Sequence, residues 1–115
     1  MGVKIIDLSM ANAIATDETE YSIVVDLGEY DAPNWKFGLR STHAGGTSTR
    51  TIVIQNSNTG ISTDFTNGAT VVTNGAVGTT YVDISSNVIP SKYIRFSITA
   101  GTDDITSCDV QLTIG

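Results

Sequence analysis

The residues that could carry chemistry are few, since the 115 residues include one histidine and one cysteine. His43 follows Ser41 by two positions in a Gly-rich stretch, and no strand-to-helix turn or orienting acid completes a catalytic triad there. We therefore interpret His43 as a solvated loop residue. Cys108 lies on the apolar face of an alternating segment, which predicts a buried thiol rather than a reactive one. So few acid–base and nucleophilic groups predict that the chain is not an enzyme.

The carboxylates offer only a weak metal site. Asp103 and Asp104 are adjacent in a turn-like segment and Asp109 follows nearby, so the three could hold Ca²⁺ together. A plain turn with side-chain to backbone hydrogen bonds is the favoured interpretation. The glycine pair at 45–46 does not lead into a helix, as a phosphate-binding loop would. We expect no cofactor.

Charge narrows the range of partners. Twelve Asp and Glu against six Lys and Arg give a formal net charge of -6, which argues against nucleic acid or an anionic membrane as a partner. No Lys or Arg occurs between Lys4 and Lys36. Half of the twelve acids lie within residues 17–31 of this interval, namely Asp17, Glu18, Glu20, Asp26, Glu29 and Asp31. Such a segment is either a solvated face that maintains solubility or an acidic patch that docks on a basic protein surface.

The elements that must position these residues are strands. Threonine, valine and isoleucine are abundant and leucine is scarce, which favours pleated structure over helix. Period-two alternation recurs along the chain between turns rich in Gly, Asn and Asp. The predicted strands are 3–8, 21–27, 35–39, 50–55, 80–84, 93–98 and 108–114, with one or two weaker ones within 61–73. Seven to eight such strands predict an all-β fold, an antiparallel β-sandwich or jelly roll.

The chain length predicts one domain. We assign residues 17–115 to a single β-sandwich and residues 1–16 to an N-terminal arm or first strand. Within strand 21–27, Tyr21, Ile23, Val25 and Leu27 are expected on the core face. Residues 1–10 carry no basic start followed by an apolar core, so we expect no secretory signal and synthesis in a cytoplasm.

Three tyrosines are candidates for exposed binding positions. Tyr81 and Tyr93 point away from the predicted core, whereas Trp35 is expected to face it. If Tyr81 and Tyr93 lie on neighbouring strands, they form an exposed aromatic patch that would mark a binding surface. Together with Tyr30 they could line a sugar-recognising face.

The order of features resembles the small β-sandwich proteins of tailed-bacteriophage particles. A strand that ends in a Ser-Asn-x-Gly turn (53–60) precedes Phe65, and Tyr81-Val-Asp-Ile follows. Lys92-Tyr-Ile-Arg then opens a further strand, and an alternating strand closes the chain at 108–114. The resemblance covers about residues 21–114.

The resemblance implies a virion structural protein, a decoration (cement) protein on the capsid exterior that binds the major capsid protein and self-associates into a symmetric oligomer. It brings no catalytic residues. The alternative is a carbohydrate-binding or tail- or fibre-associated β-sandwich module. The candidate partner-binding residues are Leu8, Met10, Ile14, Asp17, Glu18, Glu20, Tyr30, Tyr81 and Tyr93. If the arm makes the contact, truncation of residues 1–12 should abolish particle binding and leave the domain folded.

Overall fold

The computed structural model describes residues 4–8, 13–29, 36–88 and 92–115, and Met10, Tyr30, Asp31 and Trp35 lie outside them. Nine strands form in this part of the chain. In chain order they are β1 (Lys4–Asp7), β2 (Thr19–Tyr21), β3 (Val25–Asp26), β4 (Phe37–Ala44), β5 (Arg50–Ser57), β6 (Thr66–Gly75), β7 (Gly78–Asp83), β8 (Tyr93–Ala100) and β9 (Ser107–Ile114). Single 3₁₀ turns at Leu27–Glu29, Ser62–Asp64 and Ser85–Asn87 are the helical segments among the described residues.

The strands form two antiparallel sheets. The first has the order β1-β9-β4-β7, and the second has the order β2-β8-β5-β6 with β3 also paired to β8. From β6 onward the chain alternates between the sheets, because β6 and β8 belong to the second sheet and β7 and β9 to the first. The predicted all-β antiparallel sandwich is confirmed.

The core lies between the sheets and follows from the period-two alternation. Every second residue of β8 and β9 is buried, and the inward side chains of β4 and β5 face them. The inward apolar side chains include Phe37, Leu39, Ile52, Ile54, Ile94, Phe96, Ile98, Val110 and Leu112. The residues between these inward positions point to the outer faces of the two sheets and are largely polar, so each sheet presents one surface to solvent.

The predicted strand 21–27 is wrong in its middle. β2 ends at Tyr21 and β3 begins at Val25, and Ile23 between them is exposed. The cause is Ser22, whose backbone N–H donates to the Phe96 carbonyl at 2.9 Å while its hydroxyl accepts from the Phe96 N–H at 2.8 Å. A side-chain oxygen thus replaces a backbone carbonyl in the ladder with β8, and the chain leaves the sheet for three residues.

The N-terminal segment is integrated into the sandwich where it is described. β1 pairs with β9, and the N–H of Leu8 donates to the Val110 carbonyl at 3.0 Å. Leu8 and Ile14 are both buried in the core, and Ile14 forms a bridge with Ile105. Residues 4–8 therefore adopt the first-strand alternative, and the side chains of Leu8 and Ile14 are not available to a partner. The expectation that truncation of 1–12 leaves the domain intact is corrected in consequence.

Candidate binding surfaces

The histidine lies in the interior, not in a solvated loop. β4 continues the inward parity of Phe37 and Leu39 through Ser41 to His43, and His43 is buried. Its Nε2 lies 3.0 Å from the Ser48 carbonyl, and its Nδ1 faces the guanidinium of Arg50. A carbonyl can only accept and a guanidinium can only donate, so the ring carries its proton on Nε2 and is neutral. The pKa of His43 is lowered, first by burial and also by the charge of Arg50, against the opposing bond to Ser48.

Arg50 is fully buried between the sheets with every N–H group used. Nε donates to the Ser41 hydroxyl at 2.9 Å, and one terminal nitrogen donates to His43 and to the Ala76 carbonyl at 2.8 Å. The other donates to the Ser41 carbonyl at 3.2 Å and to the Thr80 hydroxyl at 2.8 Å. These five bonds match the five donors of a guanidinium and join β4, β5 and β7. The arginine therefore ties the two sheets together.

The cysteine is also part of the core. Cys108 is buried on β9, and burial raises the pKa of its thiol to about 11. A thiol with such a pKa is protonated at neutral pH and is a poor nucleophile. The prediction of a buried, unreactive cysteine agrees with this environment.

The three candidate metal ligands are not brought together. Asp104 accepts from the backbone N–H and the hydroxyl of Thr16, both at 2.7 Å, and these two bonds lower its pKa. Asp103 accepts from the Thr47 hydroxyl, and Asp109 pairs with Arg40 at 3.3 Å. Among the residues that the structure describes, no group of three His, Cys, Asp or Glu side chains could hold a metal ion. The Ca²⁺ alternative for Asp103, Asp104 and Asp109 therefore has no support in this part of the structure.

An exposed acidic and apolar surface, here called the acidic edge, borders the second sheet at β2. Its apolar members are Tyr21, Ile23 and Val24, which are 49%, 44% and 41% exposed. Its acidic members are Asp17, Glu18 and Glu20, all of them exposed. Glu18 and Glu20 also line a shallow depression of about 530 Å³ that reaches Asp104. The prediction that Tyr21 and Ile23 face the core is therefore wrong, whereas Val25 and Leu27 are buried as predicted.

Tyr81 and Tyr93 do not form a patch. Tyr81 lies on β7 of the first sheet and Tyr93 on β8 of the second, so the two are on different layers of the sandwich. Tyr81 is 75% exposed, whereas Tyr93 is half-buried. The predicted line of tyrosines is wrong on this point.

Tyr81 instead belongs to an open groove on the outer face of the first sheet. Two rows of directly paired residues cross all four strands there. One row contains Tyr81, Arg40, Gln111 and Asp7, and the other contains Asp83, Gly38, Thr113 and Ile5. Ile5 and Tyr81, on opposite edge strands, are the most exposed large apolar side chains described, at 67% and 75%. Together with the floor between them they enclose a volume of about 560 Å³, here called the sheet groove.

The outer face of the second sheet carries a stacked arginine that the sequence analysis missed. The guanidinium of Arg95 lies 4.3 Å from the ring centres of both Tyr21 and Phe65. Its Nε also donates to Gln55 at 2.7 Å. This stack anchors Tyr21 at the acidic edge, because a guanidinium between two aromatic faces is held on both sides.

Comparison with known proteins finds similar folds but no family for this chain. No known family and no curated protein matches this chain. Among solved structures, the PBSX exported protein XepA is similar, with a TM-score of 0.64 and 18% identity over 97% of this chain. This chain spans only 37% of XepA. At this identity the likeness concerns the fold alone.

Two further solved structures share the architecture. The K2 adhesin domain of Lys-gingipain has a TM-score of 0.52 at 16% identity, over 98% of this chain and 71% of that one. The low affinity xylan binding module CBM86 from Roseburia intestinalis has a TM-score of 0.50 at 6% identity, over 100% and 96%. The structure neighbours thus include a phage-derived protein and a carbohydrate-binding module, both β-sandwiches. No helix in the described part of the chain is long and apolar enough to cross a membrane.

Proposed function

We propose that this chain is a non-catalytic structural protein of a phage virion, a capsid decoration protein that binds major capsid protein through its acidic edge. The observation that carries the proposal is the exposure of Tyr21, Ile23 and Val24 beside Asp17, Glu18 and Glu20. An apolar centre bordered by charged side chains is the usual anatomy of a protein–protein interface. Exposed large apolar side chains grouped in this way mark an interaction surface.

The charge of the acidic edge indicates which kind of partner surface is complementary to it. The acidic edge itself contains no Lys or Arg, although Arg95 of β8 stacks on its Tyr21, and the whole chain carries a net charge of -6. A basic patch on the capsid would therefore attract this edge and repel wrong orientations, which increases the rate of productive encounter. The apolar side chains would then supply the contact area once the two surfaces meet.

The interior chemistry supports a structural role. The histidine and the cysteine are both buried, both ring nitrogens of the histidine have partners, and Arg50 is saturated by internal acceptors. Such groups hold the sandwich together and do not reach a substrate. The fold likeness to the phage-derived XepA supports the same setting, although it extends to fold only.

A symmetric lattice would supply the remaining affinity. In our proposal, copies occupy equivalent sites on the capsid exterior and contact each other as a symmetric oligomer. Many equivalent weak contacts then act together through effective concentration, so a modest affinity at each site suffices.

The experiment is co-sedimentation of the full chain with empty capsid shells, with Glu20→Lys as the variant. We expect wild type to bind saturably, and Glu20→Lys to lose most of its binding because it reverses one of the three negative charges of the acidic edge. Glu29→Lys is the matched control, since it changes the net charge equally at an exposed site outside the edge. Equal loss in both variants, or no sedimentation of wild type, would contradict the proposal.

A further inference from the structure

The sheet groove is a site separate from the acidic edge. It lies on the outer face of the β1-β9-β4-β7 sheet, whereas β2 borders the other sheet. Its ends are Tyr81 and Ile5 on the two edge strands, which three strand spacings separate by roughly 14 Å. Between them Gly38 leaves the floor without a side chain, flanked across the strands by Thr113 and Asp83. The sheet groove is therefore a trough with apolar ends, and the row that contains Arg40 and Gln111 forms its polar side.

The polar row is held in place by internal contacts. Arg40 lies directly opposite Tyr81 on β7 and opposite Gln111 on β9. It pairs with Asp109 at 3.3 Å, and its pKa is raised, first by a hydrogen bond with Tyr81 and also by Asp109. Asp109 thereby holds the guanidinium on the outer face, next to the directly paired Tyr81. A planar amide, a planar guanidinium and an aromatic ring stand in one line.

The charges that line the groove include both signs, and Asp7, at the β1 end of the polar row, lies outside this lining. Arg40 is neutralised by Asp109. The N–H and the hydroxyl of Ser85 donate to Asp83 and lower its pKa, and the positive charge of Lys36 acts in the same direction. The trough therefore offers an anion or a cation little net attraction, in a protein whose remaining surface is acidic. An uncharged ligand fits this balance.

We propose that the sheet groove binds an uncharged polysaccharide, with a pyranose ring on the Tyr81 face and its hydroxyl groups bonded to Arg40 and Gln111. A sugar ring has an apolar C–H face that packs on an aromatic side chain, and hydroxyls that pair with planar donors and acceptors. The volume of about 560 Å³ is that of a ligand site. A protein partner would need roughly 800 Å² of surface on each side, which a trough of this width does not offer.

Gly38 allows a test that leaves the fold intact. An added Cβ at this position would lie 3.8 Å from Thr113 and 3.9 Å from the Val82 carbonyl, which is ordinary contact. Gly38→Val should thus fill the trough without straining the strand. Ala44→Val is the matched control, because Ala44 is an exposed residue of the same strand, on the same face and outside the groove. Tyr81→Ala removes the platform.

The experiment is native affinity electrophoresis of the full chain in gels that contain arabinoxylan, mixed-linkage β-glucan or galactomannan, with polygalacturonate as the anionic probe. We expect at least one neutral polymer to retard wild type and Ala44→Val, and polygalacturonate to retard neither. Tyr81→Ala and Gly38→Val should each weaken the retardation by about tenfold, the size expected when one aromatic contact is lost.

Three results would overturn this inference. Wild type could migrate unchanged in all three neutral polymers, or both groove variants could bind as wild type does. Alternatively, Gly38→Val and Tyr81→Ala could lose binding to capsid shells instead, which would make the groove a protein interface. Loss of shell binding by Glu20→Lys alone concerns the acidic edge and leaves the groove unaffected, so the two proposals fail separately.

Discussion

Arg50 donates a hydrogen bond to Nδ1 of His43 in the space between the two sheets, while Nε2 of the same ring donates to the Ser48 carbonyl at 3.0 Å. The imidazole is therefore an acceptor on one side and a donor on the other. Protonation of Nδ1 would remove the acceptor and place a second positive charge beside the guanidinium. The pair is stable only with a neutral histidine, and this makes the sandwich sensitive to acid.

The first prediction concerns stability against pH. The pKa of His43 is lowered in the folded state. Below pH of about 6.5, the ordinary pKa of histidine, the unfolded chain therefore binds a proton at His43 while the folded chain keeps this ring neutral. The contribution of His43 is complete above that value and is lost progressively as pH falls below it. The midpoint of thermal unfolding should therefore decrease between pH 7 and pH 5, as measured by circular dichroism.

His43→Gln provides the control for this prediction. A glutamine can accept from Arg50 and donate to Ser48 but does not titrate, so its melting temperature should change little over the same interval. Asp83 and Asp104 have lowered pKa values, but they act at lower pH, below about 4. An unchanged slope in His43→Gln would assign the acid sensitivity to other groups.

The second prediction is that Arg50→Lys destabilises the sandwich strongly. An ammonium has three donors where the guanidinium has five, so at least two of the acceptors at Ser41, Ala76, Thr80 and His43 lose their partners. Each unpaired buried acceptor costs about 1–3 kcal/mol, so a total of about 2–6 kcal/mol is expected in urea denaturation. Arg40→Lys, on the solvent-exposed face, should leave the unfolding midpoint close to wild type. Similar midpoints for the two variants would contradict the role assigned to Arg50.

The fold was predictable because it depends on local alternation. β8 and β9 carry apolar residues at every second site and these sites are buried, although Ser97 of β8 is buried as well. The strand at 21–27 was not, since the alternation of Tyr21, Ile23 and Val25 gives no sign that the Ser22 hydroxyl would replace a backbone acceptor. Side-chain to backbone bonds across distant strands are invisible in a local pattern.

The burial of His43 and Arg50 could be predicted in part from the alternation of inward and outward residues along β4 and β5. His43 shares the inward parity of Phe37 and Leu39, and Arg50 shares that of Ile52 and Ile54. Extending the alternation through polar residues would have placed both inside. What parity cannot supply is the set of acceptors, because Ala76 and Thr80 meet Arg50 only after the sheets have packed. The sheet groove depends in the same way on the strand order, which brings Ile5 and Tyr81 to opposite edges of one sheet.

The third prediction tests the integration of the N-terminus. Leu8 is fully buried, its N–H donates to Val110, and its carbonyl accepts from Ile23 at 3.2 Å. Leu8→Ala should therefore cost about 2–5 kcal/mol in urea denaturation, as for other leucines removed from a core. Ile5→Ala is the matched control on the preceding strand, where the exposed side chain should contribute within about 0.5 kcal/mol. Equal midpoints for the two variants would indicate that Leu8 does not contribute to the core and that residues 4–8 are not needed for the stability of the sandwich.

The fourth prediction compares two glycines that share a left-handed backbone conformation. Gly60 has φ of +77° and Gly46 has φ of +54°. A Cβ at Gly60 would lie 3.0 Å from the ring of Tyr93, whereas a Cβ at Gly46 would meet no atom within 4 Å. Gly46→Ala should thus cost only the backbone penalty of about 1–2 kcal/mol. Gly60→Ala should cost about 1–3 kcal/mol more, because the aromatic ring must shift.

Removal of the ring separates the two contributions at Gly60. In a Tyr93→Ala background the added methyl group has space, so the cost of Gly60→Ala should decrease to that of Gly46→Ala. The cost of Gly46→Ala should be the same in both backgrounds, because the space around Gly46 contains no ring to relieve. Denaturant midpoints of the single and double variants measure the coupling directly. If Gly60→Ala is equally destabilising with and without Tyr93, its penalty comes from the backbone alone, and the contact between turn and ring makes no contribution to stability.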